Sequence, residues 1–354
     1  MDLDRRLRNR TLAAARAVRV VDRHGRESAL AVVKLTLFAG ADGRVLLPMQ
    51  RAVRLLDEHV DPTMPSSIRY PSDTASEKPG TDVLLVGTAH PPERVTCSIV
   101  SLSVGQLNKT IRVYGARRWE RGRRLSAPEP LGPTPLVYEL AYGGIDGSDP
   151  ERPLVDARNP VGRGVARDPA RLVGELAPVL EDPNAPLDSK APGPAGFGAL
   201  APHWSPRAER IGTLDAAWRR MRAPLTPCDF DPRHHCVAPL GLWSETPLSG
   251  TEPFEIIGAT PEGRWCFQLG SYRPRFRCVV RGSSHHLESH LDTVLVDAEA
   301  RRIELTWRAA APLPRRAAHL ELIEVTSEGL LPVGALRDSP EHQHYLASHR
   351  TLSP

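Results

Sequence analysis

The chain has 354 residues, 40% of them hydrophobic, and a formal net charge of +4, which gives apolar material for a sizeable core and excludes a disordered chain. Eight arginines against Asp2, Asp4 and Asp22 make residues 1–26 locally basic and leave the rest near neutral, a distribution that argues against a nucleic-acid surface. No apolar run approaches the length of a membrane span, no leader pattern opens the chain, and the five cysteines lack a repeating spacing. A cytoplasmic protein with reduced thiols and no membrane partner is therefore expected.

The first strong period lies in ALAVVKLTLF, residues 29–38, where Val33, Leu35 and Leu37 alternate with Lys34 and Thr36 as in a half-buried strand. VRVV at 18–21 is its expected hairpin partner, with Gly25 supplying the positive φ of the turn. A second block, Thr81 to Trp119, offers VLLVGTAH, VTCSIVSLSV and KTIRVYG. The apolar phase changes inside the middle run, from Val95, Cys97 and Ile99 to Val100, Leu102 and Val104, and predicts a β-bulge near 99–100.

Proline is the compositional outlier, 35 residues with 21 of them between Ser126 and Pro253, so residues 126–253 read as a long turn-rich segment. One short helix is predicted in it, TLDAAWRRMR at 213–222, capped by Thr213 and docked through Leu214, Ala217, Trp218 and Met221. Hairpins then return: FEIIGA with RWCFQL, RFRCVV, DTVLVD with RIELTW, and a last strand HLELIEV at 319–325. The expected fold is mainly β, with antiparallel, sandwich-like sheets, a long proline-rich central segment and one or two short helices. Residues 1–326 are expected to form one domain: β block 11–125, loop-rich segment 126–253 and β block 254–326. A flexible polar tail covers 327–354.

Candidate chemistry is sparse. Cys228, His234, His235 and Cys236 in CDFDPRHHC are possible zinc donors, but they lack Cys-x-x-Cys and His-x-x-x-His spacing, and polar loop residues are the plainer reading. His286 and His290 have helical ligand spacing inside a strand pattern, where they would stand too far apart for one ion. GPAGFG at 193–198 and IDGSDPE at 145–151 read as turns rather than phosphate or calcium loops. No nucleophile elbow exists. No catalytic residue, cofactor or metal is expected. The only enzymatic alternative is a metal-dependent hydrolase using the Cys228–Cys236 loop.

RYPSD, KPGTDV, YGG, RNPVGRG, LEDP and PAGFG each combine proline, glycine or Asn/Asp so as to fix backbone shape. In order, with ALAVVKLTLF, VGQLNKTIRVYGARRW, YELAYGG, PAGFGALAPHWSPR, GTLDAAW, PLTPCDFDPR, LDTVLVD and LTWR, these stretches resemble the bacterial domain of unknown function 2169 family over about residues 15–325. The chain departs from that family at His234-His235-Cys236, where aromatic and amide residues are usual. The resemblance implies a non-enzymatic adaptor or chaperone of type VI secretion. Such a protein binds a secreted effector toxin and aids its loading onto the spike of VgrG and PAAR proteins. On this reading Tyr70, Arg158, Asn159, Phe197 and Trp204 shape or line the partner surface.

Overall fold

The structure, a computed structural model, describes residues 2–313 and 319–329. Sixteen of its strands build three larger sheets. In chain order they are β1 (Leu7–Asn9), β2 (Ala14–Val21), β3 (Glu27–Ala39), β4 (Val45–Leu46), β5 (Thr81–Val86), β6 (Cys97–Val104), β7 (Leu107–Tyr114) and β8 (Leu180–Glu181). They continue as β9 (Trp243–Ser244), β10 (Pro253–Ile257), β11 (Arg264–Gln268), β12 (Arg273–Val280), β13 (Ser283–Leu287), β14 (Leu291–Asp297), β15 (Arg302–Pro312) and β16 (Leu320–Glu328).

The two β-rich stretches of sequence do not make separate units. The seven-stranded sheet has the order β9-β5-β14-β15-β3-β2, with β4 beside β3, and the five-stranded sheet runs β8-β7-β6-β10-β11. Each therefore interleaves early and late strands. A four-stranded sheet, β1-β16-β12-β13, joins the two ends of the described chain through a parallel β1–β16 ladder. Apolar side chains from all three sheets meet in one core: Val33, Leu35, Val83 and Leu305 from the first, Val100, Ile111 and Trp265 from the second, Phe276 and Ile323 from the third.

The β2–β3 hairpin and the strands after Pro253 form where the period-two pattern places them, and Gly25 turns the first hairpin at φ +76°. The expected bulge at 99–100 is absent. The β6–β7 register is unbroken from Val104↔Leu107 to Cys97↔Tyr114, and Ile99 simply faces solvent. The helix is α1 (Ala216–Met221), and its cap is Asp215 rather than Thr213, the carboxylate accepting from the Trp218 amide at 2.7 Å. Of the expected docking face only Trp218 is half-buried, its indole donating to the Leu225 carbonyl at 2.8 Å, while Leu214, Ala217 and Met221 stand in solvent. Thr213 is instead held by Asp229. The last strand reaches Glu328, two residues into the expected tail, while positions 330–354 lie outside the described residues.

The largest correction concerns β3. Lys34 and Thr36 do not face water; Lys34 is 0% exposed. Even-numbered residues of β3 and β15 point away from the main core; among them Lys34, Thr36, Glu304, Thr306 and Arg308 enter a second, polar layer covered by the chain between 47 and 80. In it the Lys34 ammonium lies 2.8 Å from Asp73 and 3.7 Å from Glu304, and Arg54 pairs with Glu304. Alongside, Lys78 meets Asp82 at 2.6 Å, Arg302 meets Asp297 at 2.6 Å, and Arg308 donates to Asp292 at 3.0 Å. Five buried or nearly buried cations thus face five buried carboxylates, and the layer is neutral.

Charges taken out of water are tolerable only when paired, and removing one partner of such a pair leaves the other stranded. Lys34→Met is expected to lower the unfolding free energy by about 3 kcal/mol, read by urea denaturation. A loss under about 1 kcal/mol, the level of an exposed pair, would show that the ammonium is not desolvated.

Candidate functional site

Above the ionic layer runs the segment from Leu46 to Tyr70, of which the sequence pattern marked only the end, at RYPSD. It is tied down at regular intervals. The Gln50 amide pairs with β3 like a strand residue, accepting from the Thr36 amide at 2.8 Å and donating to the Thr36 carbonyl at 2.9 Å. Val53 packs on Leu30 and Val32. The Arg54 amide donates to Asp73 at 2.7 Å, and the Asp73 amide returns a bond to the Arg54 carbonyl at 2.9 Å. Burial works against the Arg54 charge, but Glu304 and Asp73 outweigh it and raise its pKa.

Tyr70 closes the segment. Its hydroxyl donates to Asp297 at 2.6 Å and accepts from Arg302 at 3.2 Å, and its ring lies against the guanidinium of Arg54 at 4.9 Å. Burial, and then the bond to Asp297, push the phenol pKa up. On this segment Met49 is 81% exposed, Leu56 79% and Met64 66%, with Leu46, Leu55 and Val60 also open to solvent. Six large apolar side chains within nineteen positions are thus open to solvent on a backbone fixed from below.

The other residues expected at a partner surface are placed differently. Asn159 is fully buried, its amide donating to the carbonyls of Tyr138 at 2.8 Å and Tyr142 at 3.0 Å. This locks YGG against RNPVGRG: Gly143 sits at φ +147°, and a Cβ there would lie 2.2 Å from the Asn159 carbonyl oxygen. Phe197 is buried in the main core, and its carbonyl accepts from Leu85 at 3.2 Å, so PAGFG covers the edge of β5 beyond β9. Trp204 is buried edge-on to Tyr138, ring centroids 5.3 Å apart. Arg158 is exposed, but its guanidinium is held by Asp156 and by the Pro192 carbonyl at 2.9 Å. Of the five, Tyr70 and Arg158 reach solvent; Asn159, Phe197 and Trp204 shape the interior.

The Cys228–Cys236 loop does not gather its donors. Cys228 is exposed, the Cys236 thiol donates to the Pro79 carbonyl at 3.3 Å, His234 Nδ1 lies 2.8 Å from the Arg207 carbonyl and His235 Nε2 lies 3.4 Å from Ser76. Among the described residues no group of three or more His, Cys, Asp or Glu side chains is placed to hold a metal ion. The loop instead docks on β5, where Asp82 accepts from the amides of Val237 at 2.8 Å and Ala238 at 3.1 Å. His285 and His286 are exposed on β13, whereas His290 sits 3.0 Å from the Lys78 carbonyl. No helix among the described residues is long and apolar enough to cross a membrane.

The profile of one bacterial family, described as "Uncharacterized protein conserved in bacteria (DUF2169)", matches residues 24–308, and the chain belongs to that family. No curated protein and no solved structure matches it.

Burial, followed by the positive charges of His234 and Arg207, holds the His235 imidazole down to about 3, and burial pushes the Cys236 thiol up to about 12. In the unfolded chain a histidine titrates near 6.5. Between roughly pH 6.5 and 3 the unfolded state therefore binds the extra proton, and stability falls as the pH is lowered through that window. The slope due to this residue is at most about 1.4 kcal/mol per pH unit. His235→Gln is expected to flatten the acid limb of stability against pH, and an unchanged limb would count against a buried neutral imidazole. Under native conditions a thiol reagent should modify exposed Cys228 and Cys266 well before Cys236.

Proposed function

We propose that this member of the DUF2169 family is a non-catalytic adaptor that binds a secreted effector protein and presents it for loading onto a type VI secretion spike. The observation that supports binding is that Met49, Leu56 and Met64, with Leu46, Leu55 and Val60, are open to solvent on one segment held by Gln50, Arg54 and Tyr70. Methionine and leucine adapt to irregular apolar partners. A segment already fixed by Gln50, Arg54 and Tyr70 loses little further backbone entropy on binding.

Such a surface would cover an apolar stretch of the cargo and stabilise the cargo's folded state by mass action. The type VI assignment comes from the motif series described for the sequence, together with family membership over residues 24–308. Tyr70 acts on this reading as the anchor that positions the segment, and Arg158 as a stiffener of a neighbouring loop.

Co-expression with the effector that this adaptor serves, sought among the genes that flank its own, is expected to yield a complex that co-purifies. The double variant Met49→Asp/Leu56→Asp should weaken it at least tenfold while leaving the thermal midpoint of the adaptor within about 2 °C, since surface changes of this kind shift stability little. Absence of any complex, or a complex indifferent to the double variant, would remove the reading.

A further inference from the structure

A second site lies on the five-stranded sheet, where the edge of β7 is left open. The β6–β7 hairpin closes through the two-residue turn Gly105–Gln106 with Val104 opposite Leu107. Odd-numbered residues of β7 therefore bond to β6, and the amides and carbonyls of even-numbered ones face the other edge. The Tyr114 amide indeed crosses that edge to the Val179 carbonyl at 2.9 Å.

Along it, β8 pairs only with Arg112 and Val113. Continued by two residues, the same register sets Pro183 opposite Thr110, and proline has no amide to donate. The ladder stops there. The Thr110 N–H and C=O face a cavity of about 480 Å³ bordered by Lys109, Arg112, Asp182, Pro183 and Leu240. Gly241, at φ +90°, closes the far end against the Asn108 carbonyl.

The charges around this notch are unlike those of the buried layer. The Lys109 ammonium donates to the Leu240 carbonyl at 3.0 Å, and among the described residues neither Lys109 nor Arg112 has a carboxylate within ion-pair distance. Burial lowers the Lys109 pKa, and Asp182, a carboxylate on the wall of the same cavity but beyond ion-pair distance, opposes that effect. Lysine is scarce in this chain, at positions 34, 78, 109 and 190. Lys34 and Lys78 are each matched to an aspartate; Lys109 reaches only a neutral carbonyl. Beside the cations stand Ile99, 49% exposed, and Leu240, 92% exposed.

We propose that this notch binds the C-terminal residue of a partner polypeptide, which pairs with Thr110 in the gap between the end of β8 and Gly241. The carboxylate would lie between Lys109 and Arg112 and accept from the Thr110 amide. The Thr110 carbonyl receives a donor from the added backbone, and an apolar terminal side chain packs on Ile99 and Leu240. Main-chain pairing at Thr110 gives affinity, and capture of the carboxylate gives specificity for a free terminus. The site lies on a different sheet from the Met49–Met64 segment and does not rest on the effector reading.

The test is a display library of random peptides with free C-termini, selected on the full-length protein. Peptides with an apolar last residue are expected to be enriched. The same peptides synthesised as C-terminal amides should bind at least tenfold more weakly. Lys109→Met and Arg112→Met should each lose at least tenfold with an unchanged thermal midpoint, while Met49→Asp/Leu56→Asp retains binding. No enrichment, equal binding of the amides, or full binding by the Lys109→Met/Arg112→Met double variant would overturn the proposal.

Discussion

The charge pairing behind β3 is the constraint on which the rest of the molecule depends. A strand with apolar side chains on one face and Lys34 and Thr36 on the other would ordinarily sit at a surface. Here the ammonium is sealed between Asp73 and Glu304, so the chain from 47 to 80 has to lie across the sheet to supply Asp73, Arg54 and Tyr70. Buried ion pairs add little net stability over well-packed apolar groups, but a mismatched one is costly. Their effect is to penalise any arrangement in which those ten charges do not meet. The covering segment is thereby held in one register, and its apolar side chains are left facing out.

The same logic of compulsory neighbours governs the proline-rich stretch. Asn159 uses its amide on two carbonyls of the YELAYGG turn, and Gly143 and Gly162 leave no room for a side chain beside it. Tyr138 receives Trp204 on its edge and Gly196 against its ring. The Phe197 and Leu242 carbonyls accept from β5 where a full neighbouring strand is missing. A segment almost devoid of long strands and helices thus works as the missing edge of a sheet. Stiff turns suit this task because each carbonyl must arrive at a fixed place.

How much could be read beforehand follows from the range of the interactions. The hairpins β2–β3, β10–β11 and β14–β15 were legible because apolar strand runs and the short turns between them are local. The fate of Lys34 was not, since its partners Asp73 and Glu304 come from remote parts of the chain. Ile99 looked like a phase error because an exposed isoleucine has the same letter as a buried one. For the same reason Met49, Leu56 and Met64 gave no signal: a sequence reports that a residue is apolar, and only the fold reports whether it is covered. Tyr70 and Arg158 were picked out by their turn signatures, which mark shape. Asn159, Phe197 and Trp204 carried those same signatures and proved to be interior.

The interleaved strand order also governs how the molecule is made. β3 needs β15 as a neighbour, β6 needs β10, and β1 lies parallel to β16. During synthesis the first hairpin leaves the ribosome with one edge unpaired and with Lys34 still lacking Glu304, and both wait until nearly the whole chain has followed. Folds dominated by such long-range pairings form slowly and expose strand edges while they do so. A charge at position 34 keeps that waiting edge soluble, so the ion pair that fixes the finished sheet also guards the unfinished one.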